Sequence, residues 1–391
     1  MVFVYEDVFY KNLFPLTHLH PVFELRCGIF SPLERIRRLY KRSEVVLLVR
    51  RELEEITKEK YPNLAVNPVL LKKGLFISGR AILFQPIPEE GEEEIFTAQG
   101  DLVGFRTNLS NLRLFPLKPQ TVAKQRLPTT EVKAFSFKNL WDLITLNEKT
   151  LPLDFPEGRI KGFLDKRAYV FGPLSRLYIE KKAKVFPGNC LNLETGNIYI
   201  DAEAKIMPFS YIEGPAYIGK RTLLFGAKIR PFSNIGEECR IGGEIESSIF
   251  LGFSNKYHEG FIGHSYIGEW VNLGAGTNNS DLKNNYSPVK VKIGKRQSKT
   301  SLIKLGCFIG DHAKTAISTL IPTGAVIGVF ANVVQKGFSP NYIPNFYFRK
   351  GRLWKLKEVI NTAKTVMKRR GVEMSENYER LIKKIYYRCI R

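Results

Sequence analysis

From about residue 175 onward, apolar residues recur every six positions: Ile179, Val185 and Leu191, then Ile200 through Leu224, Ile229 through Ile241, and later Ile303, Ile309, Ile321, Ile327 and Val333. A period of six belongs neither to a helix nor to an alternating strand. Many of these residues precede a glycine, as in Ile218-Gly219, Ile235-Gly236, Ile241-Gly242, Ile309-Gly310 and Ile327-Gly328. Three short strands, each turning one aliphatic side chain inward with a small residue at the corner, make one triangular coil with this period. Each coil buries its apolar face only against its neighbours, so the pattern demands a stack and a cap. It predicts a parallel β-helix of hexapeptide repeats over residues 175–345. A phase slip between Leu224 and Ile229, and a Gly/Asn-rich stretch from Gly243 to Ser287, predict loops that leave the coil.

Upstream the pattern changes. Val2–Tyr5 and Val45–Val49 read as buried strands, and Pro32–Arg42 and Arg51–Lys60 as helices, the rhythm of an open α/β sheet over residues 1–165. A helix around Phe137–Ile144 links this domain to the solenoid. Beyond Pro344, Leu353–Arg369 and Ser375–Arg388 predict two basic amphipathic helices, a tail over residues 346–391 that caps the solenoid or packs along it.

Composition narrows the classes. An apolar content of 44% in 391 residues excludes disorder, and 60 Lys+Arg against 38 Asp+Glu leave a net charge of +22. Such an excess suits nucleic acid, anionic lipid or phosphorylated metabolites, and equally the Lys-rich surface of a heat-adapted protein. Much of it lies in the C-terminal tail, which lacks the aromatic interleaving of single-strand or RNA binders, so nucleic acid is not the expected partner. No apolar run approaches the roughly 18 residues of a membrane span, and the start carries acidic groups where a secretory leader is basic. A cytoplasmic protein is expected. The cysteines at 27, 190, 239, 307 and 389 lack Cys-x-x-Cys spacing and are expected to be reduced and mostly buried.

Tyr5-Glu6-Asp7, Asn12-Leu13-Phe14-Pro15-Leu16-Thr17 and His20-Pro21-Val22-Phe23-Glu24-Leu25-Arg26-Cys27-Gly28-Ile29 resemble the opening of a bacterial sugar nucleotidyltransferase family. Ser254-Asn255-Lys256-Tyr257-His258-Glu259-Gly260-Phe261 and Gly268-Glu269-Trp270-Val271-Asn272-Leu273-Gly274-Ala275-Gly276-Thr277 are similar to that family's solenoid signature. The same architecture occurs in the two-domain uridyltransferase/acetyltransferase that makes UDP-N-acetylglucosamine. The resemblance implies an α/β nucleotidyltransferase-like domain that joins a sugar 1-phosphate to a nucleoside triphosphate with loss of pyrophosphate. It also implies a left-handed parallel β-helix able to transfer an acetyl group from acetyl-CoA, and Mg²⁺ held by acidic residues. The Gly-x-Gly-Thr-Arg phosphate loop of better-known nucleotidyltransferases is absent, and His20 stands where the family has Arg.

Within the matched segments, Thr17, His20, Arg26 and Gly28 are candidates for phosphate and sugar. Arg26 is the foremost of them, with a salt bridge to Glu24 or Asp7 as its alternative. Asp7 and Asp101 are candidate Mg²⁺ ligands, although carboxylates are common in surface turns. His258, beside Asn255 and Lys256, suits a general base toward a sugar amine or hydroxyl, or a histidine that orders its loop. Asn272, Asn278 and Asn279 offer amides to sugar hydroxyls but also suit tight turns. His312 and Lys314 suit a phosphate or a pantetheine arm, or an outward polar corner. A triangular solenoid with flat faces predicts a homotrimer. The competing class is a non-catalytic protein that binds a sugar nucleotide through its α/β domain and assembles through its β-helix.

Overall fold

In the computed structural model, residues 1–69, 73–107, 122, 127–335 and 337–390 are described. The N-terminal strands are β1 Val2–Tyr5, β2 Val45–Leu48, β3 Ala65–Val66, β4 Gly74–Ser78, β5 Ala81–Leu83, β6 Glu94–Ala98, β7 Asp101–Thr107, β8 Thr129–Glu131 and β9 Ala134–Ser136. Seven of them form one sheet in the order β3-β2-β1-β4-β7-β6-β8. The first four strands run parallel, as the α/β rhythm predicts. β7 is antiparallel to both β4 and β6, so the sheet is mixed. Helix α1, Pro32–Leu39, starts where Ser31 and Glu34 cap each other's backbone amides and Pro32 needs no partner for a missing N–H. Helix α2 covers Glu54–Lys60 and helix α3 Leu140–Asp154.

Among the described residues the solenoid is built of one nine-stranded and two six-stranded parallel sheets, continued past the excursion by two parallel two-stranded ladders, Asn278–Asn279 with Leu320–Ile321 and Lys314–Thr315 with Asn332–Val333. Its first rungs, Phe163–Leu164 and Tyr169–Phe171, lie upstream of the point where the repeat becomes legible. One inward column runs Ile179, Ile200, Ile218, Ile235, Phe250, Ile267, Ile309, Ile327, Ile343, in register and buried throughout. Dense aliphatic stacking of this kind is the main source of the solenoid's stability.

The stretch from Gly243 does not leave the coil as expected. Glu244–Glu246, Ile249–Gly252, Asn255–Lys256, Phe261–Gly263 and Tyr266–Glu269 are all rungs. Their inward residues, Ile245, Phe250, Lys256, Ile262 and Ile267, follow at intervals of five and six, which breaks the strict period without breaking the coil. The excursion comes later, after Asn279. It carries an antiparallel hairpin, Lys290–Ile293 with Arg296–Lys299, before the coil resumes at Phe308. The hairpin reaches the N-terminal domain: Val289 and Val291 pack with Leu13 and Leu16, and Arg296 donates to Asn12 Oδ1 at 2.9 Å.

Further contacts dock the N-terminal domain on the nine-stranded face. Asn234 Nδ2 donates to Gly28 O at 2.5 Å, Asn147 Nδ2 to Phe232 O at 2.9 Å, and Tyr266 OH to Arg26 O at 3.2 Å. One corner of the solenoid holds a left-handed residue in successive coils: Lys182, Glu203, Arg221 and Glu238, then Phe253, Trp270, His312, Phe330 and Phe346. The change from charged to aromatic coincides with the cover of helices α4, Leu356–Lys368, and α5, Glu376–Ile390. Their Val359, Ile360, Leu381 and Ile382 pack with Phe330 and Phe346. The tail thus packs along the solenoid, and Ser375 and Asn377 tie it to Glu59 of α2, each at 2.6 Å.

Candidate functional site: a cationic cleft on the solenoid

Strand register builds an outward column on one solenoid face in the order Leu223, Arg240, Asn255, Asn272, Lys314. Helix α4 and the residues after it run beside this column, and between them lies a cleft of about 720 Å³. Arg240, Lys314, Arg369 and Arg370 line it with His258, Asn255 and Asn272, and no carboxylate is among its lining residues. Phe253, Tyr257 and Trp270 supply apolar walls.

Local hydrogen bonds hold the cleft in shape. Asn255 Nδ2 donates to Asn272 Oδ1 at 3.3 Å, while Asn255 Oδ1 accepts from Arg370 Nη2 at 2.6 Å. Lys314 Nζ donates to His312 O at 3.0 Å, and burial lowers its ammonium to about 8. The His258 side chain is exposed at the corner and meets the Tyr257 ring edge-on at 5.2 Å. Four cations around an aromatic-walled hollow suit a ligand carrying several phosphates and an apolar segment.

Asn255, His258, Asn272 and Lys314 are therefore brought together, whereas the other solenoid candidates are placed apart. Lys256 is fully buried in the inward position that Ile241 occupies one rung before. Its ammonium turns back to the His258 carbonyl, and burial, opposed by Glu259, lowers it to about 8. Asn278 and Asn279 form a ladder, accepting from Phe261 N at 2.8 Å and Gly263 N at 2.7 Å. His312 is fully buried in the aromatic corner stack, 4.6 Å from the Phe330 ring, and burial drives its imidazole well below the usual range. It is not an outward corner.

In the N-terminal domain most candidates are engaged in packing. Thr17 donates to Tyr10 O at 2.7 Å. Gly28 has φ +77°, and a Cβ there would lie 2.2 Å from Asp154 Oδ2, so only glycine fits. His20 is buried, 3.0 Å from Glu24, 3.4 Å from Asp311 and 3.9 Å from Glu269. Burial opposes its charge, but Asp311 and Glu269 hold it up at about 10. That imidazolium is already surrounded by carboxylates. Arg26 differs, because neither Glu24 nor Asp7 pairs with it. Glu24 binds Lys60 at 2.7 Å and Asp7 binds Arg80 at 2.6 Å.

Open α/β sheets place ligands at the carboxyl ends of their parallel strands. Here ion pairs fill that edge: Glu6 with Arg50 at 2.5 Å, beyond β1 and β2, and Asp7 with Arg80, beyond β1 and β4. Asp101 is held by Lys138. The two proposed Mg²⁺ ligands are each committed to their own cation, and among the described residues no three His, Cys, Asp or Glu side chains converge on a metal position. Paired in this way, Asp7 and Asp101 do not fit Mg²⁺. A larger hollow, about 1580 Å³, lies at the opposite edge beside Met1, Glu44 and Gly74, with none of the candidate residues. Among the described residues no helix is long and apolar enough to cross a membrane.

Arg369 and Arg370 line the cleft and Arg50 and Arg80 are buried, and none of the four stands out in the sequence from the general excess of basic residues. The spacing of Arg240 and Asn255 was available, but the column follows only once the shortened coils are counted correctly.

Comparison with known proteins agrees with this division. Residues 2–159 match the family model described as sugar nucleotidyl transferase. A bifunctional sugar-1-phosphate nucleotidylyltransferase/acetyltransferase of Sulfurisphaera tokodaii is 35% identical over 157 residues, 38% of this chain and 39% of the relative. The bifunctional protein GlmU of Methanocaldococcus jannaschii is 35% identical over 104 residues, 26% of this chain and 25% of the relative. That of Wigglesworthia glossinidia brevipalpis is 28% identical over 198 residues, 49% of this chain and 40% of the relative. The chain thus spans 25–40% of the length of these three relatives. Residues 2–159 are thus similar to the sugar nucleotidyl transferase family, and a parallel β-solenoid of hexapeptide repeats follows them.

Proposed function

We propose that this protein is a sugar-1-phosphate nucleotidyltransferase that also carries acyl transfer on its solenoid, acting in the synthesis of a sugar nucleotide for cell-wall or surface polysaccharide. The observation that carries the acyl half is the cleft of Arg240, Lys314, Arg369 and Arg370 around His258, which has no acid in its lining. Its cations suit the phosphates of a donor such as acetyl-CoA, and His258 would accept a proton from the sugar amine or hydroxyl as that group attacks the thioester carbonyl. The acyl group passes to the acceptor, and the thiolate leaves to take up a proton. The nucleotidyl half rests on the family match over residues 2–159, with Arg26 as its phosphate contact. Both halves predict activity in one panel: each nucleoside triphosphate with Mg²⁺ and a set of sugar 1-phosphates, read as pyrophosphate, and acetyl-CoA with amino-sugar phosphates, read as free thiol. Silence in both assays would overturn the reading.

The ion pairs that fill the carboxyl edge of the sheet favour a second reading for the N-terminal half, in which it holds a sugar nucleotide without turning it over. Thiol release without pyrophosphate would select it. The assembly proposed is a homotrimer around the solenoid axis, and light scattering that returned a monomer at micromolar concentration would exclude it.

A further inference from the structure

A second cleft, of about 520 Å³, lies where the N-terminal domain meets the early solenoid coils. Its solenoid wall is a column of three tyrosines in register, Tyr178, Tyr199 and Tyr217. Their rings meet edge to face, with centroids 4.5 Å and 5.4 Å apart. Its other wall carries Arg26 and Arg38, and Lys220 stands at the rim.

Among the described residues, Arg26, Arg38 and Lys220 make no ion pair. Arg26 donates from Nη1 to Ile29 O, lies over the Tyr217 ring at 5.6 Å, and has a buried Nε without an acceptor. Arg38 stacks on Phe30 at 3.8 Å. The acids of the cleft, in contrast, are all engaged. Asp154 binds Arg35, and Glu237 lies 3.3 Å from Arg221. Glu34 accepts from Ser31 N at 2.7 Å, and Asp201 accepts from Tyr217 OH at 2.7 Å. Among the described residues the three cations thus have no carboxylate within ion-pair distance, although the charge of Glu34, and more weakly that of Glu237, bears on Arg26. Leaving a buried guanidinium N–H without an acceptor costs free energy that a ligand oxygen would recover.

The geometry points to a binding site for a phosphorylated sugar at this domain junction, with the phosphate on Arg26, Arg38 and Lys220 and the ring face on the partly exposed Tyr199. Asp201 stands beside Tyr217 as an acceptor for ring hydroxyls. The volume suits a monosaccharide phosphate or a nucleoside monophosphate. The site shares Arg26 with the function proposed above and rests on that reading in nothing else. It is built by both domains, away from the His258 cleft and from the carboxyl edge of the sheet.

The test is calorimetric titration of the full chain with glucose 1-phosphate and, separately, uridine monophosphate, with inorganic phosphate and glucose as controls. At least one of the two phosphorylated probes is expected to bind more tightly than either control. Arg26→Gln and Arg38→Gln should each weaken it by roughly 10-fold or more, the range for a charge-assisted hydrogen bond. Tyr199→Ala should weaken the phosphorylated sugar while leaving inorganic phosphate unchanged. Lys220→Gln, at the exposed rim, should weaken binding without lowering the melting temperature or the rate of acyl transfer. Inorganic phosphate binding as tightly as both probes would overturn the site, as would unchanged affinity in Arg38→Gln and Lys220→Gln or no binding by the wild type at millimolar concentration. Because the readout is binding, a protein silent in both activity assays but able to bind would refute the proposed reactions and leave the site standing.

Discussion

Replacing Arg80 by methionine is expected to destabilise the N-terminal domain by about 3–5 kcal/mol, the usual cost of removing one partner from a buried ion pair. Arg80 and Asp7 are each 1% exposed, and Arg80 approaches Asp7 through Nε at 2.7 Å and Nη2 at 2.6 Å. Arg80 Nη1 also donates to Ser136 Oγ at 2.9 Å and Phe137 O at 2.8 Å. One guanidinium therefore joins the end of β1, the turn after β4, and the chain leading into α3. Methionine fills much of the volume but takes the cation from the buried Asp7 carboxylate, which keeps the hydrogen bond from the Phe9 amide at 3.0 Å. In a domain of this size the melting temperature should fall by on the order of 10 °C. Adding Asp7→Asn should restore part of the loss, since it removes the unpaired charge. That comparison also tests the two roles of Asp7. If Asp7 is a metal ligand, Asp7→Asn alone should abolish pyrophosphate release with little change in melting. If it is structural, melting should fall and residual activity should follow the folded fraction.

What the sequence made legible was what repeats. An aliphatic residue every six positions has one cheap explanation, and the inward column from Ile179 to Ile343 is that explanation in three dimensions. The α/β half was legible where strands are short, continuous and apolar, as in β1 and β2. It was not legible beyond β4, because the antiparallel β6 and β7 and the pairing of β5 with β9 depend on long-range partners. Lys256 shows why site residues were harder. Its charge reads as outward, yet register fixes it inward, and its four-carbon stem lets the ammonium return to the His258 carbonyl at the corner. His312 misled in the same way, since only the covering helices α4 and α5 make its corner an interior. Arg369 and Arg370 lie far in sequence from the residues they face, so periodicity alone did not connect them with Asn255.

His258→Asn is expected to remove most acyl transfer, a loss on the order of 10² to 10⁴ in rate, as for a general base. The structure separates this outcome from a loop-ordering role. His258 is exposed, and among the described residues its imidazole accepts and donates no hydrogen bond; the corner is held instead through its carbonyl, which Lys256 binds, and through Gly276 N donating to Glu259 O at 2.8 Å. Asparagine keeps both backbone contacts, so the melting temperature should stay within a degree or two, as for an exposed substitution. A role in ordering the loop would lower stability by about 1 kcal/mol and change turnover modestly. Arg370→Ala supplies the contrast: it faces the cleft without proton chemistry, so it should raise KM for acetyl-CoA while kcat falls less than in His258→Asn. Pyrophosphate release should be intact in both variants, because the nucleotidyl transfer proposed above is placed on residues 2–159, away from this cleft. If the wild type turns over no acetyl-CoA, His258 is not a base for that reaction, and the cleft's four cations then mark a binding surface for a phosphorylated ligand.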